Sequence, residues 1–362
     1  MLNCVELAKQ LAAIPSFQGN REVSLFLKNY LEKEGISVQV IEKNNVLNVV
    51  ARTGKRDGRS LLLNGHTDTV PPQLGSQMPV STIRDGKLFG LGTVDMKAGA
   101  AAMTCAFLEL AKKETELNGE VILVLVGDEE NGGANGTKAT LEVGVKADYV
   151  VIGEPTNLKI CLGQKSALQL EISANGNARH ASRIRPDDNA VSKVTNVLYS
   201  LEKAFPVPVG PDDFLFNKTT MNIGTVFGGT AANVVPDKCT ATIDFRFSPL
   251  SSKEELTNQI MTNLNEAITV KERFTALGWS LDKNTPYCRA LVSTMKKVGI
   301  KEEFVYKFGS NDARFYNAEG CQVVNIGPGN NLLSHTGKEE VEVNQIEQAK
   351  QVYLKLAQEL LK

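Results

Sequence analysis

A chain of 362 residues exceeds what one hydrophobic core usually supports, about 250–300 residues, so at least two compact units are expected. With 42% hydrophobic and 22% charged residues and ordinary glycine and proline, it is globular rather than disordered or fibrous. A formal net charge of -1 gives no basic surplus for nucleic acid or an anionic membrane, which leaves a small molecule as the partner class.

The opening stretch "MLNCVELAKQLAAIPS" carries no basic leader or long apolar core, and the longest apolar strand, "VILVLV", is too short to span a bilayer. The six cysteines form no Cys-x-x-Cys pair, so neither a thiolate zinc site nor a dithiol motif is visible, and a reducing cytoplasm is the expected compartment. In "REVSLFLKNYLEKEG", Val23, Phe26, Leu27, Tyr30 and Leu31 follow the helical period and Gly35 supplies the stop. The apolar runs "VLNVVA", "SLLLNG", "VILVLVG" and "DYVVIG" come next, with the Ala-rich helix pattern "MKAGAAAMTCAFLELAKK" between the second and third. Runs buried on both faces and alternating with helices predict an α/β domain with a mostly parallel sheet and flanking helices.

From about residue 165 the texture changes to alternating strands, "ALQLEIS", "MNIGTV" and "CTATIDFRF", with helices near 187–204 and 252–268. That pattern predicts an inserted α+β unit. The last stretch returns to the helical period at Val343, Ile346, Ala349, Val352, Tyr353, Leu356 and Leu360 and should pack on the first domain. The expected architecture is a catalytic domain of 1–164 and 278–362 interrupted by a lid of 165–277.

In an open α/β sheet, reactive groups gather at the carboxyl ends of strands, which singles out His66, Asp128 to Glu130 and Glu154. A lone histidine is usually structural, and adjacent acids such as Glu129 and Glu130 usually form a solvated turn. Their company changes the reading: His66 sits in "GHTDTV", Asp95 in "GTVDMKAG", the two glutamates in "GDEENGG" and Glu154 in "IGEPT". Imidazoles mixed with carboxylates suit zinc, cobalt or manganese, whereas thiolates mark structural zinc and all-oxygen sets calcium or magnesium. Two histidines and three carboxylates can serve two ions if one carboxylate bridges, and of two adjacent acids one can face the metal while the other serves as a base.

With "SHTG" added, these motifs resemble, in order and over nearly the whole chain, the metallopeptidase family of acetylornithine deacetylase, succinyl-diaminopimelate desuccinylase, aminoacylase and carboxypeptidase G. The resemblance implies two divalent metal ions, Zn2+ foremost with Co2+ or Mn2+ as options. His66 and Glu154 would be terminal ligands of one, Glu130 and His335 of the other, and Asp95 the bridge. It makes Glu129 the general base and Asp68 the acid that orients His66. A cis peptide after Asp95 is a further family trait. His180, in "NGNARHAS", would stabilise the oxyanion from the lid, and Lys165, Asn233, Arg246 and Arg314 would bind substrate. Gly309, Gly327 and Gly329 would shape loops beside the site.

The implied activity is removal of an acetyl or succinyl group from an N-acyl amino acid, with a dipeptidase or aminoacyl carboxypeptidase as the alternative and a lid-to-lid homodimer as the assembly. Leu91, the segment "QLGSQMPVST", Ser166 and "RIRPDDNA" depart from the family pattern without removing a ligand, so they bear on substrate identity. A phosphate loop is absent, and the dinucleotide fingerprint is broken by Asp95, whose carboxylate would repel pyrophosphate. A non-catalytic relative would have lost a ligand or Glu129, and both are intact.

Overall fold

The computed structural model describes residues 3–73 and 81–362, so positions 74–80 of "QLGSQMPVST" and the first two residues lie outside the described residues. Two compact units are present, Met1–Leu162 with Leu281–Val305 and Asn311–Lys362, and Gly163–Ser280 with Tyr306–Ser310.

The first unit is built on a sheet whose four central strands, Gly119–Val126, Arg59–His66, Tyr149–Ile152 and Gln322–Asn325, lie side by side and run parallel. Every residue of Gly119–Val126 and Tyr149–Ile152 is buried, as strands covered on both faces require. The run "VLNVVA" falls in Val46–Gly54, which joins this centre antiparallel, and Val38–Lys43 pairs antiparallel with it. The hairpin between them turns on Asn44 and Asn45, both at positive φ (48° and 66°), the backbone that a two-residue turn matching the strand twist demands.

Helix Ala98–Ala111 lies against strands Arg59–His66 and Gly119–Val126 and packs on helices Cys4–Ala13 and Val343–Leu360. Its small side chains permit that close approach. The last helix buries Ile346, Ala349, Val352, Tyr353, Leu356 and Leu360, the face its sequence period selects, while Val343 at its start stays half-buried. The Tyr353 hydroxyl donates to Ile326 O at 2.7 Å and fixes this helix to the end of the fourth parallel strand. No helix among the described residues is long and apolar enough to cross a membrane.

The second unit has a four-stranded antiparallel sheet in the order Thr220–Gly228, Lys238–Phe247, Ser166–Asn175, Ile268–Ala276. Leu168, Leu170, Ile172, Ala241, Ile243 and Phe245 alternate along the two inner strands and bury against helices Ala190–Ala204 and Lys253–Met261. The second helix is shorter than the 252–268 reading, because Ile268 already begins a strand. The unit also takes in Tyr306–Ser310, which the sequence reading assigned to the catalytic domain. Tyr306 stacks on Phe216 with ring centroids 4.2 Å apart, and Lys307 O accepts the Lys165 N–H at 3.0 Å.

Candidate metal centre

Parallel strands deliver their carboxyl ends to one edge, and each of the four is followed there by a polar side chain. His66 is the last residue of its strand. Glu129 and Glu130 follow Val126 in a short helical turn entered through Asp128 at φ 70°, a left-handed conformation uncommon outside glycine. Glu154 lies two residues past Ile152, and the loop after Asn325 leads to His335, itself at φ 61°. Asp95 comes from a non-helical turn ahead of Ala98–Ala111, and the Asp95–Met96 peptide is cis.

The donor atoms converge. His66 Nε2 lies 3.0 Å from Asp95 Oδ1 and 3.8 Å from Glu154 Oε1. His335 Nε2 lies 3.0 Å from Glu130 Oε2 and 3.5 Å from Asp95 Oδ2. The two carboxylate oxygens of Asp95 thus face different histidines, with Glu154 beside His66 and Glu130 beside His335. Glu129 completes a cluster with His66 and Glu154, with ligand atoms all within 4.8 Å of one another. His66 is 1% exposed, Glu154 2% and Asp95 9%, whereas the His335 side chain is half exposed.

Asp68 sets the orientation of His66. Its backbone carbonyl is 3.0 Å and its Oδ1 3.5 Å from His66 Nδ1, while its Oδ2 accepts the Glu130 N–H at 3.1 Å. With Nδ1–H donating to these oxygens, the Nε2 lone pair of a neutral His66 points at the carboxylates of Asp95 and Glu154. Acceptor facing acceptor is unfavourable without a cation between them. Bonds of about 2.0–2.1 Å to a tetrahedral ion put neighbouring donor atoms about 3.3 Å apart, close to the separations here. The residues fit two divalent cations sharing Asp95.

The electrostatics show the same demand for positive charge. Burial opposes a charge on His66, yet hydrogen bonds to Asp68 and Asp95 outweigh it and hold the imidazole well above its usual range. The Glu129 carboxyl is pushed well above the usual carboxylate range, foremost by burial; His66 opposes this, and the charges of Glu154, Asp312 and Asp95 add to it. For His335, the hydrogen bond to Glu130 raises the imidazole.

Three buried charged residues at this edge escaped the sequence reading. Asp312 is 2% exposed, accepts from Thr137 Oγ1 at 2.7 Å, and burial lifts its carboxyl to about 6. Gly133 makes room for it: at φ 71°, a Cβ there would lie 2.4 Å from Asp312 Oδ1. Lys97 is 1% exposed and donates to Ile14 O at 2.7 Å, and burial lowers its ammonium to about 8. Glu339, 2% exposed, accepts the Val94 N–H at 3.2 Å. The available signal was a charged residue close to a proposed ligand: Lys97 two after Asp95, Glu339 four after His335, and Asp312 two before Arg314. Arg314 donates to Gly132 O at 2.8 Å, in the loop behind Glu129 and Glu130. Gly327 permits a close crossing, since a Cβ there would stand 2.1 Å from Gly153 O.

The remaining predicted residues belong to the second unit. His180 and Asn233 are neighbours: the His180 strand pairs with Val234–Val235, and Ala181 N donates to Asn233 O at 2.9 Å. His180 is exposed and lines a depression of about 590 Å³ with Arg179, Ser182 and Arg183. Ser182 N–H donates to His180 Nδ1 at 3.3 Å, which leaves Nε2–H as an outward donor. Arg246 is held by Asp244 at 2.6 and 3.1 Å. Lys165 is fully buried, with its ammonium donating to the carbonyls of Leu215 and Lys218. Burial first, and the Arg246 charge second, lower it to about 8.

Paired imidazoles and carboxylates at a strand-end edge, arranged for two ions around one shared aspartate, define the class of two-metal hydrolases. The sequence profile of peptidase family M20/M25/M40 matches residues 62–359, and the chain belongs to that family, which hydrolyses amide and peptide bonds. It is 30% identical over 373 residues to a succinyl-diaminopimelate desuccinylase of Bordetella petrii, covering 98% of this chain and 97% of that one. A second relative, succinyl-diaminopimelate desuccinylase 2 of a Ruegeria species, is 29% identical over 90% of this chain and 87% of its own. Among solved structures, aminopeptidase PepT from Bacillus cereus superposes with a TM-score of 0.82 at 20% identity, covering 99% of this chain and 98% of that one. The Bacillus subtilis protein YXEP, described as a dinuclear metal-binding peptidase, gives 0.73 at 18% identity, covering 99% and 97%.

Proposed function

We propose that the protein removes a succinyl or acetyl group from an N-acyl amino acid by hydrolysis of the amide. The observation that carries the reading is the division of Asp95, one oxygen toward His66 and the other toward His335, with Glu129 beside them. Full-length similarity to two desuccinylases makes the succinyl group the first choice.

Two bound ions, zinc foremost by the chemistry of the donor set, would polarise the amide carbonyl and acidify a water. His66 and Glu154 would hold one ion, Glu130 and His335 the other, and Asp95 both, with Asp68 fixing the His66 tautomer. Glu129 takes the proton of the attacking water and returns it to the leaving nitrogen. Its carboxyl, raised by burial, is a better proton acceptor than an exposed glutamate. His180, through Nε2–H, and Asn233 donate to the oxygen that becomes negative. Arg246, Arg314 and the remaining donor of Lys165 take the substrate carboxylates, the two guanidinium forks matching a planar carboxylate.

A panel of N-succinyl, N-acetyl and N-formyl amino acids, run beside di- and tripeptides, tests the reading. The expected result is a preference for one acylated amino acid and loss of all turnover on chelation. Full turnover by the metal-free protein, or faster cleavage of peptides, would overturn it.

We further infer a homodimer formed through the second unit. Strand Thr220–Gly228 is an edge of its sheet, with Val226 45% and Phe227 68% exposed. An uncovered apolar edge strand is a template for pairing with another chain. Light scattering at micromolar concentration should give twice the mass of the chain, and a strict monomer would contradict the assembly. The free, buried state of all six cysteines supports a reducing cytoplasm as the compartment.

A further inference from the structure

We propose that Glu339 is a positioning residue for Asp95, holding the aspartate's turn so that its two oxygens divide between the two ions. The inference rests on the two-ion reading of the site and goes beyond it. Asp95 and Met96 leave helical geometry, at φ -122°, ψ 95° and φ -131°, ψ 37°. A buried turn of this kind lacks the regular partners of a helix, and its N–H groups need an acceptor from elsewhere. Glu339 supplies it. Its Oε2 accepts from Val94 N at 3.2 Å, on the residue directly before Asp95.

Position in the chain gives the contact its meaning. Glu339 lies four residues past His335, so a single side chain joins the segment carrying one imidazole to the turn carrying the shared carboxylate. At 2% exposure it has no room to relax. The Lys97 ammonium stands in the field of both Glu339 and Asp68, which offsets the charge placed there. Glu340, the next residue, instead pairs with Lys87 at the surface and provides a control.

Glu339→Gln replaces one carboxylate oxygen by an amide NH2 beside the Val94 N–H, so the turn loses an acceptor oxygen and the negative charge that strengthens the bond. The test is titration of Co2+ into the apoprotein, read by calorimetry and by the visible absorption of the bound ion, with thermal melting as a check on folding. The wild type is expected to take two equivalents. Glu339→Gln should melt cooperatively yet bind at least about 10-fold more weakly, with an altered cobalt spectrum, and Glu340→Gln should match the wild type. If Glu339→Gln does not fold, Glu339→Asp keeps the charge on a shorter arm and should show the same direction of change. Wild-type affinity and spectrum in a folded Glu339 variant would overturn the inference and leave the two-ion site intact. A wild type that takes up no ions would overturn both.

Discussion

Glu129→Gln should retain both ions and lose about 10²- to 10⁴-fold in kcat, the range general acid–base groups contribute. The amide has nearly the shape of the acid, so packing around it is preserved, but it cannot accept and return a proton. Burial raises the Glu129 carboxyl, and what the substitution removes is the carboxylate's capacity to take up a proton. Steady-state kinetics with metal analysis of the same sample checks both parts. An unchanged kcat would take the residue out of its role, and loss of a metal equivalent would make it a ligand instead, which its cluster with His66 and Glu154 makes a real alternative outcome.

Asp95→Asn should act on the other half of the site. The aspartate presents one oxygen 3.0 Å from His66 Nε2 and the other 3.5 Å from His335 Nε2. An asparagine keeps one acceptor and turns an amide NH2 toward the other position, so it cannot serve two ions, and it removes a negative charge from between them. Loss of an outer partner of a metal ligand costs about 10- to 100-fold in affinity; loss of the shared ligand should exceed about 100-fold for at least one ion and abolish turnover with it. Metal content after dialysis reads the result. Two tightly held ions in Asp95→Asn would show that this residue does not bridge.

Much of this was legible in the residues. Apolar runs buried on both faces, "SLLLNG", "VILVLVG" and "DYVVIG", identify parallel strands, and the strand-end rule then locates His66, Glu129, Glu130 and Glu154. The roles of Asp95 as bridge and His335 as ligand needed the family resemblance, because nothing local ties a turn before one helix to a loop far along the chain. Asp312, Lys97 and Glu339 were illegible for a different reason. A charged residue is buried only by its tertiary neighbours, and no periodicity records that Thr137 will reach Asp312 or that Val94 will turn its N–H to Glu339. The same limit hid the return of Tyr306–Ser310 to the second unit, which depends on the stacking of Tyr306 on Phe216. Lys165 shows it at one side chain: no sequence pattern records that its ammonium will donate to the carbonyls of Leu215 and Lys218.

The parallel centre of the first unit also has a consequence for biosynthesis. Gln322–Asn325 pairs with Tyr149–Ile152, so the sheet joins segments made before and after the whole of Gly163–Ser280. On the ribosome, the three acids of the proposed ligand set and its first imidazole emerge long before their partner at 335. Domains tend to fold as they are synthesised, so the interrupting unit can mature while the interrupted one is still missing a strand. On the two-ion reading, the proposed ligand set is therefore complete only at the end of translation, and a chain terminated before residue 335 would lack its second imidazole.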